Sequence, residues 1–562
     1  MWALSGCRLL LALLIAPASA DMVWADEEGN TRRRTLSVST WQWGLDGTPR
    51  WVPSPQIPLA GRVVATTSSP ADLTVEVQSG DHRWTVPVES HSRTEHDIPV
   101  LGLRPGTRYE LSVSARRGDD KWPVQRLVVE TPELPADFPD CQLVHASPDA
   151  MEPGLTLCSI LRWENNAASV DVGWIVAFDE QGRVVWYYRL PEPGGAVRRS
   201  PRGGFGLIHG ARPTGFREID LQGNTRLQFR AVGLGIKAES SEIAVPADTF
   251  HHDVSYLPDG KVLLLSTEVR TIRGYPVSEQ NLRQTADANV VGDVVLELRP
   301  DGTVAGRWPL LDLLDPIRIG FGSQDRYWDL RAYPFYFGGT RDWSHCNSVL
   351  YDDRDDALIV CLRHQDAIVK FDRKTSAVRW ILGEPTGWRG DLARKVLKPA
   401  GNFSWPYHAH GINYRSEDGT LLLFDNGNCR AIPPRRPQPA SASYSRAVEF
   451  QIDEESHTVR QVWSYGSRRE PRFFSAFVGD ADWLPQTGNV LVTDGGRLED
   501  SRGRPLGEPP GTRQWGRILE VTRDDPAQVV FELHVAEQGS ESRFGSSIYR
   551  AERISSLYTL TP

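Results

Sequence analysis

The sequence predicts an all-β protein: a six-bladed β-propeller preceded by a small fibronectin type III-like β-sandwich. The first observation is composition, since the 562 residues include 19 Trp, 49 Gly and 40 Pro but only three Met. That balance is typical of strands joined by turns. The second is a hairpin pattern that recurs along most of the chain, and the third is a shorter alternating segment before it. The length also suggests more than one domain.

The first twenty residues, "MWALSGCRLLLALLIAPASA", are typical of a secretory signal peptide. Arg8 precedes the apolar run "LLLALLIA", and "ASA" offers a cleavage site before Asp21. An anchoring helix is the alternative, but the apolar run is too short to span a bilayer. We therefore expect a periplasmic or secreted protein that has no membrane contact after signal removal.

Residues 34–131 alternate apolar and polar side chains in short runs that turn residues interrupt. The stretch "LGLRPGTRYELSVSA" resembles a fibronectin type III strand, with Tyr109 at the tyrosine corner. The segment "ETPELPADFPD" is then a proline-rich linker. We predict a signal peptide over 1–20, the sandwich and linker over 21–140, and the propeller over 141–562.

The repeat is a strand that ends in a polar turn, followed by a strand that closes on an aromatic residue. The six copies close on Trp186, Phe229, Trp308, Trp380, Trp463 and Phe531. We interpret each copy as the outer hairpin of a four-stranded blade. Inner hairpins recur as well, for example "VSYLPDGKVLLLS" and "GINYRSEDGTLLLF". The late segment "YRAERISSLY" is expected to complete the first blade and so leave no bare sheet edge.

Charge and cysteine content restrict the partners. The net charge of −9 shows no basic excess, which argues against nucleic acid as a partner.

Five cysteines remain after signal removal, so at least one is unpaired in an exported chain. Proximity in the sequence favours a Cys141–Cys158 bridge. No CxxC pair exists, so a structural zinc site is not expected.

Polar residues recur at matching positions of the inner strands when these are aligned on an aromatic residue of each, which is Tyr256, Tyr351, Tyr414 or Trp483. These residues are His252, His345, Asn347, His408 and His410. Because the innermost strands of a propeller line one channel, we expect them to converge there. Arg363 is expected to enter the same site from the next strand of the blade that holds His345. Such a donor-rich set suits a tetrahedral oxyanion such as sulfate or phosphate. Strand parity places His251 outside the channel and points His364 away from Arg363.

Other classes of function remain open at this point. Three imidazoles are able to bind zinc or copper, although Arg363 would repel a cation and carboxylates are missing from the aligned set. Two further alternatives are an exported binding scaffold and a metal-dependent propeller hydrolase or lactonase. A scaffold would tolerate mutation of the histidines, and a metallohydrolase would lose activity with chelators.

Several motifs, in their order, resemble the bacterial arylsulfate sulfotransferases of the phosphoadenosine-independent kind. They are "DWSHCNSVLYD", "RHQDAIVKFD", "WILGEP", "HAHGINY" and "LLLFDNGN". The resemblance implies sulfuryl transfer from a phenolic sulfate ester to an acceptor phenol, by a ping-pong mechanism through a sulfohistidine. It implies small-molecule partners and no cofactor, and it leaves a homodimer open.

The resemblance also assigns residues. It makes His408 the nucleophile, with His345, Arg363 and His252 as the other catalytic groups. Substrate binding falls on Asn347, His410 and His251, and no metal ligand is implied. Two positions depart from the family's pattern, because Tyr407 replaces a glutamine and His410 replaces a small or apolar residue. These departures bear on donor and acceptor preference.

Overall fold

The computed structural model describes residues 19–25, 31–37, 49–88, 92–117, 120–121, 124–164, 169–190, 194–210, 214–466, 472–507, 513–537 and 543–558. The chain forms two compact units: Pro58–Leu134 with the residues up to Ser54, and Pro135–Pro562 with Pro55–Ile57. Residues 1–18, which hold most of the predicted signal peptide, lie outside the described residues. Within the described ranges, no helix is both long enough and apolar enough to cross a membrane.

The first unit contains strands β1 to β9. They are β1 (Ser19–Ala25), β2 (Thr31–Ser37), β3 (Arg50–Pro53), β4 (Gly61–Ser79), β5 (His82–Thr85), β6 (Arg93–Val100), β7 (Arg108–Arg117), β8 (Asp120–Lys121) and β9 (Gln125–Glu130). β1 and β2 form an antiparallel pair of their own. The other seven form the predicted sandwich, since one half of β4 pairs with β3 and β6 and the other half with β5 and β7.

Pro70 and Tyr109 explain two features of this sandwich. Pro70 has no backbone N–H, and it lies at the point where β4 leaves one set of partners for the other. The tyrosine corner is confirmed: the Tyr109 side chain is buried, and its hydroxyl accepts a hydrogen bond of 2.8 Å from the backbone N–H of Arg104.

The second unit contains the remaining strands and three short helices. They are β10 (Cys141–Ala146), β11 (Leu155–Glu164), β12 (Ser169–Phe178), β13 (Val184–Leu190), β14 (Gly194–Arg199), β15 (Phe205–His209), β16 (Gly215–Ile219), β17 (Thr225–Ala231), β18 (Ile243–Val245), β19 (His251–Tyr256), β20 (Val262–Pro276), β21 (Thr285–Leu298), β22 (Val304–Pro309), α1 (Leu310–Leu313), α2 (Tyr327–Arg331), β23 (Thr340–Asp342), β24 (Cys346–Asp352), β25 (Ala357–Leu362), β26 (Ala367–Asp372), β27 (Val378–Gly383), α3 (Gly390–Arg394), β28 (Lys398–Pro399), β29 (His410–Arg415), β30 (Thr420–Asp425), β31 (Arg446–Asp453), β32 (Thr458–Tyr465), β33 (Asp480–Trp483), β34 (Val490–Glu499), β35 (Arg513–Val521), β36 (Val529–Val535) and β37 (Phe544–Ile554).

These strands form six sheets, the blades of the predicted propeller. Blade 1 is β37 with β11–β13, blade 2 is β14–β18, and blade 3 is β19–β22 with β23 beside β21. Blade 4 is β24–β27, blade 5 is β28–β32, and blade 6 is β33–β36 with β10 at its outer edge. The innermost strand of each blade contacts that of the next, and blade 6 contacts β37 of blade 1. The all-β fold class predicted from the sequence is confirmed.

The repeated aromatic residues connect neighbouring blades. Trp186 donates its indole N–H to the carbonyl of Leu221 in blade 2, at 3.1 Å. Trp308 of blade 3 donates in the same way to the carbonyl of Arg373 in blade 4, also at 3.1 Å. Each ring is buried. An outer hairpin therefore ends on an aromatic residue because this position packs between two sheets while its N–H reaches the next outer turn.

Strand β37 completes blade 1, as the sequence predicted, by pairing along β11. Its buried Arg550 also reaches two other blades. The guanidinium lies 2.8 Å from a carboxylate oxygen of Asp253 in blade 3 and 2.7 Å from one of Asp480 in blade 6. The last strand of the propeller therefore supplies a cation that links carboxylates of two other blades.

The predicted Cys141–Cys158 bridge is wrong, since the structure has both residues as free thiols. Cys141 begins β10 at the edge of blade 6, and Cys158 lies in β11 of blade 1. The Cys141 thiol donates instead to the carbonyl of Pro139 at 3.4 Å. Cys141 nevertheless adds to the effect of burial in raising the pKa of the Cys158 thiol, so the two residues are neighbours that the structure leaves unbonded.

Candidate active site

Three histidines in successive blades share an unusual backbone conformation. His252, His345 and His408 have φ angles of 56°, 48° and 53°, and each lies at the start of the inner strand of blade 3, 4 or 5. This left-handed region costs a non-glycine residue roughly 1–3 kcal/mol and is found where surrounding contacts enforce it, often at functional sites. A bulge also interrupts each strand, so strict alternation does not hold there.

The structure brings these rings together with Arg363. The ring centroids of His252 and His345 are 4.9 Å apart, and those of His345 and His364 are 4.6 Å apart. The His364 and His408 rings follow at 6.0 Å. An Nη atom of Arg363 lies 2.6 Å from Nε2 of His364. The predicted convergence of blades 3, 4 and 5 therefore produces one continuous cluster, which we call the histidine cluster.

The position of His364 corrects the prediction that this side chain points away from Arg363. Strand β25 ends at Leu362, and Arg363–Gln365 form a single 3₁₀ turn. Strand parity does not apply inside such a turn, so neighbouring side chains can face the same region. His364 is buried and donates from Nδ1 to the carbonyl of Asp342 at 2.7 Å, which leaves Nε2 to accept from Arg363.

His408 is held by a single carboxylate. One oxygen of Asp366 accepts the backbone N–H of His408 at 2.7 Å and its ring Nδ1–H at 2.9 Å. Two donors on this oxygen define it as an acceptor, so the ring proton of neutral His408 lies on Nδ1. The lone pair is then on Nε2, which makes no hydrogen bond within the described residues. Both side chains are buried.

His345 has a carboxylate partner of a different kind. Its Nδ1 lies 2.5 Å from Oδ2 of Asp342, whose other oxygen accepts the indole N–H of Trp328 at 3.0 Å. Burial, with the nearby charge of Asp293 second, raises the pKa of Asp342 well above its ordinary value. Burial and the Arg363 charge lower the pKa of His345 well below its ordinary value. The shifts favour a proton on Asp342 and a neutral imidazole beside it.

His410 and His252 also have their Nδ1 atoms occupied. Nδ1 of His410 faces two acceptors, the side-chain oxygen of Asn426 at 2.7 Å and the carbonyl of His408 at 3.1 Å. Burial and then Arg363 lower the pKa of His410 to about 3. Nδ1 of His252 lies 2.8 Å from Nδ1 of His251, and burial followed by the His345 charge lowers the His252 pKa strongly. Both rings are therefore neutral near pH 7.

His251, predicted to bind substrate, is enclosed by protein. Its Nε2 lies 3.1 Å from the carbonyl of Ser266 and 3.2 Å from a carboxylate oxygen of Asp293. Its ring packs against Trp328 at a centroid distance of 5.0 Å. With Nδ1 against His252, both nitrogens have protein partners, so in this conformation His251 supports His252.

Asn347, also predicted to bind substrate, ties blade 4 to blade 5. Its amide nitrogen donates to the carbonyl of Ala409 at 2.7 Å, and the thiol of Cys361 donates to the same carbonyl at 3.1 Å. The bonded carbonyl lies between His408 and His410 in the chain. The side-chain oxygen of Asn347 is buried without a hydrogen-bond partner. That oxygen is an unused acceptor beside the cluster.

Arg363 has most of its donors unused. Its Nε is buried and without a partner, and only one Nη atom contacts a described side chain, that of His364. A guanidinium carries five N–H donors in a planar fork that fits two oxygens of one oxyanion. A permanent cation beside neutral imidazoles is an arrangement that suits an anionic group entering the cluster.

Two residues of α2 belong to the site and, like Asp342 and Asp366, were not identified from the sequence. The Tyr327 ring lies 4.9 Å from that of His345 and 6.5 Å from that of His252, and the Arg331 guanidinium stacks on Tyr327 at 3.8 Å. The charge of Arg331 also contributes to the lowered pKa of both histidines. Both residues lie on α2, in an insertion between blades 3 and 4 that carries no repeat, so no sequence signal identified them.

The histidine cluster includes one group with the residue types of a metal site. Within the described residues, Asp342, His345 and His364 each place one candidate donor atom within 4.8 Å of the others. The Nδ1 atoms of both rings are, however, occupied by hydrogen bonds to Asp342. The cation of Arg363 also lies beside the group, which opposes binding of a further positive charge.

Tyr407, one of the two departures from the family's pattern, belongs to the wall of the site. Its hydroxyl donates to Glu384 at 2.7 Å, and its backbone N–H donates to Asp425 at 2.9 Å. Glu384 also pairs with Arg435. The residue before His408 is therefore fixed at both backbone and side chain, and its hydroxyl is not directed at the histidine cluster.

Residues 141–545 match the family described as arylsulfotransferase (ASST), and residues 52–132 match the arylsulfotransferase Ig-like domain. The chain therefore belongs to the arylsulfotransferase family.

Curated relatives agree with this assignment. The arylsulfate sulfotransferase AssT of Escherichia coli O6:H1 is 31% identical over 54% of this chain and 52% of its own length. That of Lelliottia amnigena is 29% identical over 50% of this chain and 48% of its own length. The chain spans about half the length of these relatives. A solved structure of a protein of unknown function from Bacteroides caccae is similar with a TM-score of 0.36 and 11% identity, over 71% of this chain and 99% of that one.

Proposed function

We propose that this protein is an exported arylsulfate sulfotransferase that moves a sulfuryl group from a phenolic sulfate ester to an acceptor phenol through a sulfohistidine at His408. The observation that carries the proposal is the contact between Asp366 and the His408 ring, 2.9 Å from Nδ1. With the proton on Nδ1, the lone pair on Nε2 is left without a partner among the described residues, in the same cluster as Arg363. A neutral imidazole in this state is a competent nucleophile near pH 7.

In the first half-reaction, Nε2 of His408 attacks the sulfur atom of the donor. The N–S bond forms, the S–O bond breaks, and its electron pair leaves with the aryl oxygen, which needs a proton. The ring of sulfated His408 becomes more positive, and Asp366 at Nδ1 compensates this charge. The free donors of Arg363 bind two sulfuryl oxygens and neutralise charge that builds up on them, as in phosphoryl transfer.

In the second half-reaction, the acceptor phenol enters after the first phenol has left. Its oxygen attacks the sulfur atom, the N–S bond breaks, and the electron pair returns to Nε2 of His408. The phenolic proton passes to a base in the cluster. Ping-pong kinetics follow, because both phenols use one site in turn.

Trapping the intermediate tests this proposal. The purified protein is incubated with an aryl sulfate alone, digested at high pH and examined by peptide mass spectrometry. We expect one sulfuryl group within "WPYHAHGINY". His408→Asn should abolish both label and turnover, whereas the matched variant His410→Asn should slow turnover but still accept the label. A label on His410, or transfer without any label, would refute the assignment.

The alternatives make different predictions in the same assay. A binding scaffold would release no phenol from the donor with any variant. A metal-dependent hydrolase would release phenol and inorganic sulfate without an acceptor and would stop when a chelator is added.

A further inference from the structure

Arg331 lies beside the histidine cluster without a carboxylate partner. Its guanidinium stacks on the Tyr327 ring at 3.8 Å, and one Nη atom donates to the backbone carbonyl of Tyr327 at 3.0 Å. Among the described residues it makes no salt bridge. Asp329, the acidic residue of the same helix, is bound to Arg326 and Thr340 instead. A half-buried guanidinium therefore keeps N–H donors that no carboxylate of the described chain occupies.

Tyr327 connects this cation to the histidine cluster. Its ring lies 4.9 Å from that of His345, and the next ring, that of His364, follows at 4.6 Å. Arg363 contacts His364 at that end of the row, through one Nη atom at 2.6 Å. Two guanidinium groups, Arg331 and Arg363, thus flank a row of aromatic rings, and neither has a carboxylate partner among the described residues.

We propose that Arg331 selects phenols and phenolic sulfates that carry a carboxylate on the ring. The inference rests on the proposed function and names the substrate class of the same site. Arg363 is assigned to the sulfuryl group, so a second unpaired cation is suited to a second anion on the substrate. A benzene ring with a sulfate ester at one end and a carboxylate at the other presents the same order of groups: an anion, an aromatic ring and an anion. A guanidinium binds a carboxylate through two parallel N–H···O bonds.

Packing alone is the competing explanation for Arg331, because a cation over an aromatic ring is stabilising by itself. The stack, however, uses only a face of the guanidinium, whereas its N–H groups lie in the plane and remain available apart from the one bound to the Tyr327 carbonyl. The basic residue just before the helix, Arg326, has the ion pair with Asp329 that a purely structural cation would gain from.

The test compares two acceptors that differ in charge. They are 4-hydroxybenzoate, whose carboxylate is ionised at pH 7, and its methyl ester, which is neutral. With 4-nitrophenyl sulfate as donor, KM and kcat/KM are measured for each. The wild type should have a KM for 4-hydroxybenzoate about 10-fold or more below that for the ester. Arg331→Met should lower the ratio of the two kcat/KM values about 10- to 100-fold, the size expected for hydrogen bonds to a charged group, and leave the ester nearly unchanged.

Further variants separate this role from a structural one. Arg326→Met is the matched control, because Arg326 is exposed and already paired with Asp329, and it should keep the wild-type ratio. Arg331→Lys keeps the charge without the planar fork and should retain part of the preference. Arg331→Gln, which can still donate to the carbonyl of Tyr327, is a second neutral variant and should lose the preference as Arg331→Met does.

Three results would overturn the inference: an equal loss with both acceptors in Arg331→Met, an unchanged ratio in either neutral variant that folds, or equal KM values for the two acceptors in the wild type. The wild-type comparison decides even where a variant does not fold. Absence of a label on wild-type His408 after incubation with 4-nitrophenyl sulfate would instead refute the proposed function, so the two failures are distinguishable.

Discussion

Replacing Arg363 by lysine tests the binding of the sulfuryl group. In the structure the guanidinium uses one Nη atom for His364 and leaves its buried Nε and other N–H groups unused. Lysine keeps the charge but has a single nitrogen, so it cannot bind two oxygens in one plane. Hydrogen bonds to charged groups contribute about 1.5–3 kcal/mol each. Losing between one and two of them costs about 2–4 kcal/mol in the transition state, or about 30- to 1,000-fold in rate.

The assay is kcat/KM for transfer from 4-nitrophenyl sulfate to phenol, with the thermal unfolding curve of each variant as a check of folding. The control is Arg354→Lys, because Arg354 donates to the backbone carbonyls of Ser416 and Glu417 in an outer turn. We expect the control to match the wild type. A folded Arg363→Lys protein with nearly normal kcat/KM would remove Arg363 from the transition state and refute the reasoning.

Two further predictions concern metals and pH. Dialysis against EDTA should leave turnover unchanged, because the Nδ1 atoms of His345 and His364 are bound to Asp342 and the Arg363 cation lies beside them. Loss of turnover that zinc or calcium restores would contradict the mechanism. The His410 pKa is about 3 in the folded protein and 6.5 ordinarily, so the unfolded state binds more protons between these values and the free energy of unfolding falls as the pH falls through that window. One such group contributes a slope of about 1.4 kcal/mol per pH unit. Between pH 7 and 5 the unfolded imidazole passes from mostly neutral to mostly protonated, so His410→Gln should reduce the average slope in urea titrations by about 1 kcal/mol per pH unit. An unchanged slope would show that the His410 pKa is not lowered in the folded state.

The blades were predictable because the hairpin repeat is encoded by residues that lie close together in the sequence. Alternation, a polar turn and a closing aromatic residue such as Trp308 are all local signals, and the packing that they serve recurs in each blade. The convergence of His252, His345 and His408 was predictable for the same reason. A repeated unit in a ring places equivalent positions around one axis.

The rest of the site depends on contacts between distant segments. Asp366 and Asp342 showed no pattern that distinguishes them from other acidic residues, and only the fold places them behind His408 and His345. His364 was misplaced because parity was extended into a 3₁₀ turn. Tyr327 lies in an insertion, where no repeat gives its position. The partners of the clustered histidines are thus harder to predict than the histidines themselves.

The contacts of β37 set the order in which the molecule can become active. A polypeptide that has emerged only as far as residue 543 lacks the innermost strand of blade 1, and Asp253 and Asp480 then lack the Arg550 cation that links them. It also lacks Tyr549, whose ring lies 6.4 Å from that of His252. The channel therefore forms only once β37 is available for pairing, so copies truncated before β37 are expected to be degraded rather than to act as partial enzymes.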